Sequence, residues 1–235
     1  MSVPLGPRII AWLRFFAGIS YPRDIKLVLS ALGRRRRFAI PAEVWAAIEP
    51  IDGFLSAKEA GLLYWAAREW PVSGPVIELG SYQGRSTVLF ALAGRQVHAV
   101  DAWSVQTGDS DRYYLPGGLQ PETSLALFQR NLRAAQVEAR VSVHQGHTHD
   151  VGRTWGSPAA IVFVDAGHSY ADARGDIDIW SPHLHPGGVL IMHDVLSYVH
   201  LDVARVASEL IREDWRVVAS AGSLVTFVRK DRKHA

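Results

Sequence analysis

From residue 75 onward, short apolar runs alternate with amphipathic stretches. The runs are "PVIELG" (75–80), "VHAVDAW" (97–103), "VSVHQG" (141–146), "AAIVFVDAG" (159–167) and "GVLIMHD" (188–194), and helical spacing fills about 84–93, 121–135, 170–181 and 200–214 between them. Because the runs are continuously apolar rather than alternating, they predict strands covered on both faces, hence a parallel, doubly wound sheet. The last run, "RVVASAGSLVTFVRK", breaks around Ala221-Gly222 and reads as an antiparallel hairpin.

Upstream, the pattern is helical. In "LSAKEAGLLYWAAREW", Ser56 and Glu59 form a capping box ahead of apolar residues at helical spacing. Two short helices are expected before that, over roughly 6–19 and from Pro22 to Gly33, followed by "GRRRR". The chain thus divides into a basic helical arm (1–40) and a main domain (41–235). Residues 104–120, with Tyr113 and Tyr114, have no apolar period and read either as a lid on the acceptor side or as disordered padding.

Charge sharpens this division. Residues 1–38 carry seven Arg and one Lys against a single Asp, whereas the whole chain sums to +2, so the remainder is mildly acidic. No nucleic-acid surface is expected from that distribution. The arm reads as a cap over the substrate mouth or a contact in a homodimer; an anionic lipid surface, an acidic partner and a solvated helix end are its other readings. The chain has no Cys, which excludes a thiolate metal site and a Cys nucleophile. The run "IIAWLRFFAGI" is too short, and interrupted by Arg14, to span a bilayer, and the chain reads as cytoplasmic.

In open α/β sheets, ligands sit beyond the carboxyl ends of the strands. Here five successive strand ends carry polar groups: Glu78 to Gly84, Asp101, Gly146 to His149, Asp165 with His168, and His193-Asp194. The first turn has Gly80 and Gly84 but places Tyr82 where a dinucleotide fingerprint has its second Gly. A carboxylate at Glu78 disfavours a pyrophosphate, since like charges about 4 Å apart repel by roughly 4 kcal/mol at an effective dielectric near 20. The same group favours a cationic ligand, and Asp101 suits ribose hydroxyls. Ribose, positive charge and no phosphate describe S-adenosylmethionine better than a nicotinamide dinucleotide.

"VIELGSYQGRST" resembles the first motif of class I S-adenosylmethionine-dependent methyltransferases, in particular the catechol O-methyltransferase type. "FVDAGHSYADARGDIDIWSPHLHPGGVLIMHD" resembles the bacterial branch that acts on antibiotic sugars and macrolides and includes the so-called cephalosporin hydroxylases. The resemblance implies an α/β, Rossmann-like, doubly wound seven-stranded sheet with an antiparallel C-terminal hairpin and an N-terminal helical extension. It implies Glu78, Gly80, Ser81 and Ser86 around the methionine moiety, Tyr82 and Gly84 as further cofactor-binding residues, Asp101 on the ribose, and Trp103, His147, Thr148 and His149 near the adenine. It further implies Asp165, His193 and Asp194 as ligands of a divalent cation, with His168 as the base acting beside Asp165 on a hydroxyl of a small-molecule acceptor.

The chemistry is consistent with those residue types. Methyl transfer to oxygen is an in-line displacement that needs alignment and a deprotonated acceptor. Imidazole accepts a proton near pH 7, and a bound cation lowers the acceptor's pKa. An imidazole at position 193 shifts the metal preference from Mg²⁺ toward Mn²⁺ or another transition metal. The rivals are a metal-independent enzyme using His168 alone, a non-catalytic nucleotide-fold protein docking through its arm, and a nicotinamide oxidoreductase. No facial-triad spacing is apparent. His183 and His185 read as surface groups, and His98, His144 and His200 have no assigned partner.

Overall fold

The computed structural model describes residues 38–103, 121–197 and 199–230. The two arm helices, the arginine run at 34–37 and the 104–120 lid lie outside the described residues.

The main domain opens with α1 (Ala42–Ile48) and α2 (Ala57–Glu69). The capping box of α2 forms as expected: the Ser56 side chain accepts from Glu59 N, and the Glu59 carboxylate accepts from Ser56 N. Strands and helices then alternate through β1 (Val76–Leu79), α3 (Arg85–Leu92), β2 (Val97–Asp101), α4 (Pro121–Ala134), β3 (Val141–Gln145), α5 (Thr148–Arg153), β4 (Ala159–Val164), α6 (Tyr170–Trp180), β5 (Leu184–Met192) and α7 (Leu201–Arg212). The chain closes with β6 (Trp215–Ala221) and β7 (Leu224–Arg229). Helices α1 and α5 are short and went unmarked by the apolar pattern.

The seven strands are ordered β3-β2-β1-β4-β5-β7-β6. All neighbours from β3 to β5 pair in parallel, and β7 is antiparallel to both β5 and β6. Strand order therefore reverses between β1 and β4, the switch point where such sheets bind ligands. Strands β1 and β4 are buried at every position, as continuous apolar runs require. Strand β3 departs from that expectation: it is an edge strand, and Ser142, Val143 and Gln145 are exposed.

Each face of the sheet has its own core. Val76, Ile161, Phe163 and Ile191 pack with α2 and α3 on one side; Ile77, Leu79, Val162 and Met192 pack with α6 and α7 on the other. The two-residue period of a strand dictates this split, and it sends Glu78 to the α3 side together with Val76. Among the described residues, no helix is long and apolar enough to cross a membrane.

Candidate active site

A cavity of about 610 Å³ lies over the carboxyl ends of β1, β2, β4 and β5. Its first wall is the turn after β1. Gly80 adopts φ +85°, and a Cβ there would collide with the backbone carbonyl of Asp165, so only glycine lets the β1 and β4 ends approach this closely. Gly84, at φ +89°, caps α3 from its N-terminal side, with the Phe128 ring close behind it. Tyr82 also has positive φ (+47°) and lines the cavity.

Asp101 organises this turn. Its Oδ2 accepts from Ser81 N (2.9 Å) and Tyr82 N (2.8 Å), and its Oδ1 accepts from Trp103 N (2.7 Å). The carboxylate still borders the cavity and has lone pairs left to accept further hydrogen bonds.

Glu78 is placed differently from the sequence expectation. It is fully buried and does not line the cavity. Its Oε2 accepts from Ser81 Oγ (2.9 Å) and from Thr87 Oγ1. Burial pushes its carboxyl up to about 7, against the lowering effect of the Ser86, Thr87 and Ser81 hydroxyls. It is therefore a partly neutral internal brace, and it touches the cavity only through Ser81 and Ser86. The negative field comes instead from Asp52, Glu59, Asp101, Asp165, Asp172 and Asp194, all of which border the cavity.

Two further residues expected near a ligand turn elsewhere. Trp103 is buried, packs on Phe128 at 4.9 Å between centroids and donates its indole N–H to Tyr82 O. His149 lies away from the cavity, with Nε2 3.2 Å from Asp172 O and 3.4 Å from Asp176 Oδ1. Both anchor neighbouring segments rather than line the space. His147 and Thr148 do line it.

A second wall was not foreseen. Segment 49–55 folds over the first turn and is held by the Arg85 guanidinium. Nε donates to Ile51 O (2.6 Å), Nη1 to Gly53 O (2.8 Å) and Leu55 O (3.0 Å), and Nη2 to Glu49 O (2.9 Å). Tyr82 adds a hydrogen bond from its phenol to Asp52 (2.9 Å). Phe54 stands exposed at the rim.

The floor gathers the polar ends of β4 and β5. His193 is buried, with Nδ1 3.0 Å from Asp165 Oδ1 and 3.2 Å from Asp194 Oδ2. These are close charge contacts, since neither ring nitrogen makes a well-angled hydrogen bond. Burial opposes charging of the ring, but the two carboxylates outweigh it and raise His193 to about 11. Burial likewise opposes ionisation of Asp194, yet His168 and His193 hold its carboxyl well below the ordinary range. Asp194 also occupies the left-handed region at φ +56°, which costs a non-glycine residue energy and concentrates at functional sites.

His168 approaches the same acid: its Nε2 lies 3.2 Å from Asp194 Oδ2. His200, unassigned from sequence, stacks on His168 with centroids 3.8 Å apart. Glu59 closes the back. Its Oε1 accepts from Ser223 N (2.7 Å) and Oγ (2.8 Å) and lies 3.8 Å from His193 Nε2. Cis ligands around a cation with bonds near 2.1 Å sit about 3 Å apart. The two contacts of His193 Nδ1, with Asp165 and with Asp194, match that spacing, and an imidazole nitrogen between two carboxylates suits a divalent ion.

A family model described as a methyltransferase domain matches residues 77–195, from the first-motif strand to the end of the β5 turn. Among solved structures, the S-adenosylhomocysteine-bound methyltransferase PaMTH1 of Podospora anserina superimposes with a TM-score of 0.62 at 14% identity, over 90% of this chain and 97% of its own. The O-methyltransferase TomG of Streptomyces achromogenes, involved in tomaymycin synthesis and solved with S-adenosylmethionine, gives 0.56 at 16% identity over 80% and 87%. An O-methyltransferase of Bacillus cereus complexed with S-adenosylhomocysteine gives 0.52 at 15% over 90% and 93%. With the motif turn, the switch-point cavity and the reversed final strand in place, the chain belongs to the methyltransferase domain family and is an S-adenosylmethionine-dependent methyltransferase of the class I fold.

Proposed function

We propose that this enzyme methylates a hydroxyl of a small molecule, a sugar or natural-product scaffold, with His168 as general base and a divalent cation, Mg²⁺ or Mn²⁺, held by Asp165, His193 and Asp194. The observation that carries the reading is the convergence of His168, Asp194 and Asp165 on the floor of an acid-lined cavity beside the first-motif turn.

The acid lining favours a sulfonium donor over a diphosphate. Ser81, Ser86 and Asp101 border the space where the methionine and ribose parts would lie. The acceptor oxygen attacks the methyl carbon as the carbon–sulfur bond breaks, so the donor leaves as S-adenosylhomocysteine and the hydroxyl proton passes to His168. Asp194 orients that imidazole and stabilises its protonated form. When bound, the cation lowers the acceptor's pKa and aligns its oxygen.

A second reading also has direct support. At about 11, His193 is itself a cation between Asp165 and Asp194, so the trio is electrostatically satisfied without a metal, and His168 serves alone. Labelled S-adenosylmethionine with a panel of hydroxylated sugars and phenolic scaffolds tests both. Transfer that is lost in chelator, restored by Mg²⁺ or Mn²⁺ and abolished in His168→Ala is expected. Chelator-resistant transfer selects the second reading, and full activity of His168→Ala defeats both.

A further inference from the structure

His200 immediately precedes α7, and its ring lies flat against that of His168, with centroids 3.8 Å apart and planes 20° apart. The in-plane nitrogens of parallel rings do not converge, so what His200 offers its neighbour is a face. An imidazole needs such support. The χ2 torsion of histidine is broad and roughly two-fold, so the rotamer alone does not set the ring plane. By itself, the edge contact of His168 Nε2 with Asp194 Oδ2 (3.2 Å) leaves the ring free to pivot about the N···O line. A flat neighbour removes that pivot, because the two restraints act in different directions.

The support is itself anchored. Only 12% of the His200 side chain is exposed, and its Nε2 lies 3.8 Å from the same Asp194 oxygen. Val203, Val206, Ala207 and Leu210 seat α7 in the core. Two hydrogen bonds then tie α7 to Tyr170, at the start of α6 and close to His168 in the chain. Tyr170 N donates to Asp202 Oδ2 (3.2 Å), and the Tyr170 phenol donates to Glu209 Oε2 (2.9 Å). Helix α7 thus holds both the backbone beside His168 and the face of its ring. We propose that His200 is a positioning residue, which fixes the plane of the His168 ring where the acceptor hydroxyl meets it. The proposal rests on the reading of His168 as general base. Its consequence is for rate rather than donor binding, since a reacting group displaced by about 1 Å costs about a hundredfold.

Proton NMR of the full chain with labelled histidine reads the stack without turnover, and the loss of signals in His168→Gln identifies His168. Its ring protons are expected upfield in the wild type, shielded by the His200 face. They should move downfield in His200→Ala and stay upfield in His200→Phe, which keeps the face and removes the nitrogens. Transfer of labelled methyl to an acceptor from the panel of sugars and phenolic scaffolds reads the consequence. His200→Ala should lower kcat about ten- to a hundredfold with KM for S-adenosylmethionine unchanged, and His200→Phe should recover most of the loss. Calorimetry of S-adenosylhomocysteine binding checks that each variant folds. Unmoved His168 signals in the alanine variant overturn the stack. An unchanged kcat in an enzyme that His168→Ala inactivates overturns the positioning role, as does a phenylalanine variant as slow as the alanine one. If His168→Ala stays fully active, the base reading falls, while the shifts still decide whether His200 holds the ring.

Discussion

Ser81 Oγ donates to Glu78 Oε2 across 2.9 Å, so the acid of the first motif faces inward, toward α3, and reaches the cavity only through the residues it holds. Its burial makes it more basic in the folded chain than in the unfolded one, rising from 4.5 to about 7. The folded state therefore binds the proton more tightly in that window, and stability is lost as pH climbs from about 4.5 through 7. Glu78→Gln removes this slope. Relative to wild type, it should gain up to about 3 kcal/mol between pH 4.5 and 8, from 1.36 kcal/mol per pKa unit. Thermal melts of both proteins at pH 5, 6, 7 and 8 check it; parallel curves mean that Glu78 is not a titrating internal acid.

Gly80→Ala should be severe. Its Cβ meets the Asp165 carbonyl backbone, which cannot swing aside as a side chain can, and φ +85° is strained for alanine. A stability loss above about 2 kcal/mol is expected, with S-adenosylhomocysteine affinity falling at least tenfold as the β1 and β4 ends separate. Urea denaturation and calorimetry read the two effects, and a variant with near-wild-type values in both contradicts the close approach.

Arg85 is predicted to act on stability, read by urea denaturation, through the wall it holds. Arg85→Ala strands four carbonyl acceptors around segment 49–55, at a cost of about 2–4 kcal/mol given 1–3 per unsatisfied buried group, discounted for exposure. Lysine has a single ammonium and cannot reproduce the fork, so Arg85→Lys should recover less than half of the loss. Equal stability of the Lys variant and wild type rules the fork out as the reason.

The His149–Asp176 contact carries the opposite expectation for its two ends. Asp176 is fully buried, neither of its oxygens has a well-aligned hydrogen bond among the described residues, and desolvation raises it to about 6. Above that pH, His149→Ala leaves a buried carboxylate without its neighbour and should cost about 1–3 kcal/mol. Asp176→Asn added to His149→Ala should restore most of the loss, because the charge is gone. Chemical denaturation at pH 7.5 of the two single variants and the double variant tests it; additive effects would exclude coupling.

Much of the architecture was readable because it depends on short-range periodicity. Continuous apolar runs marked β1, β2, β4 and β5, the Ser56–Glu59 spacing marked the start of α2, and the break at Ala221-Gly222 marked the reversed final pair. The direction of Glu78 was within reach too, since strand alternation puts it on the Val76 face, but its position at a strand end drew attention to the ligand side. Edge strand β3 reads Val-Ser-Val-His-Gln, with polar residues at three of five positions, so it lacks the continuous apolar run of its neighbours and is covered less than they are.

Sequence by itself determined the doubly wound class, the switch-point turn and the identity of the strand-end acids and histidines, because each follows from neighbours within a few residues. Only the tertiary structure decided that Arg85 would hold segment 49–55, that Trp103 and His149 would turn away, and that His200 would stack on His168. Those outcomes join residues tens of positions apart. Their distances depend on how helices settle on a twisted sheet, which no local pattern encodes.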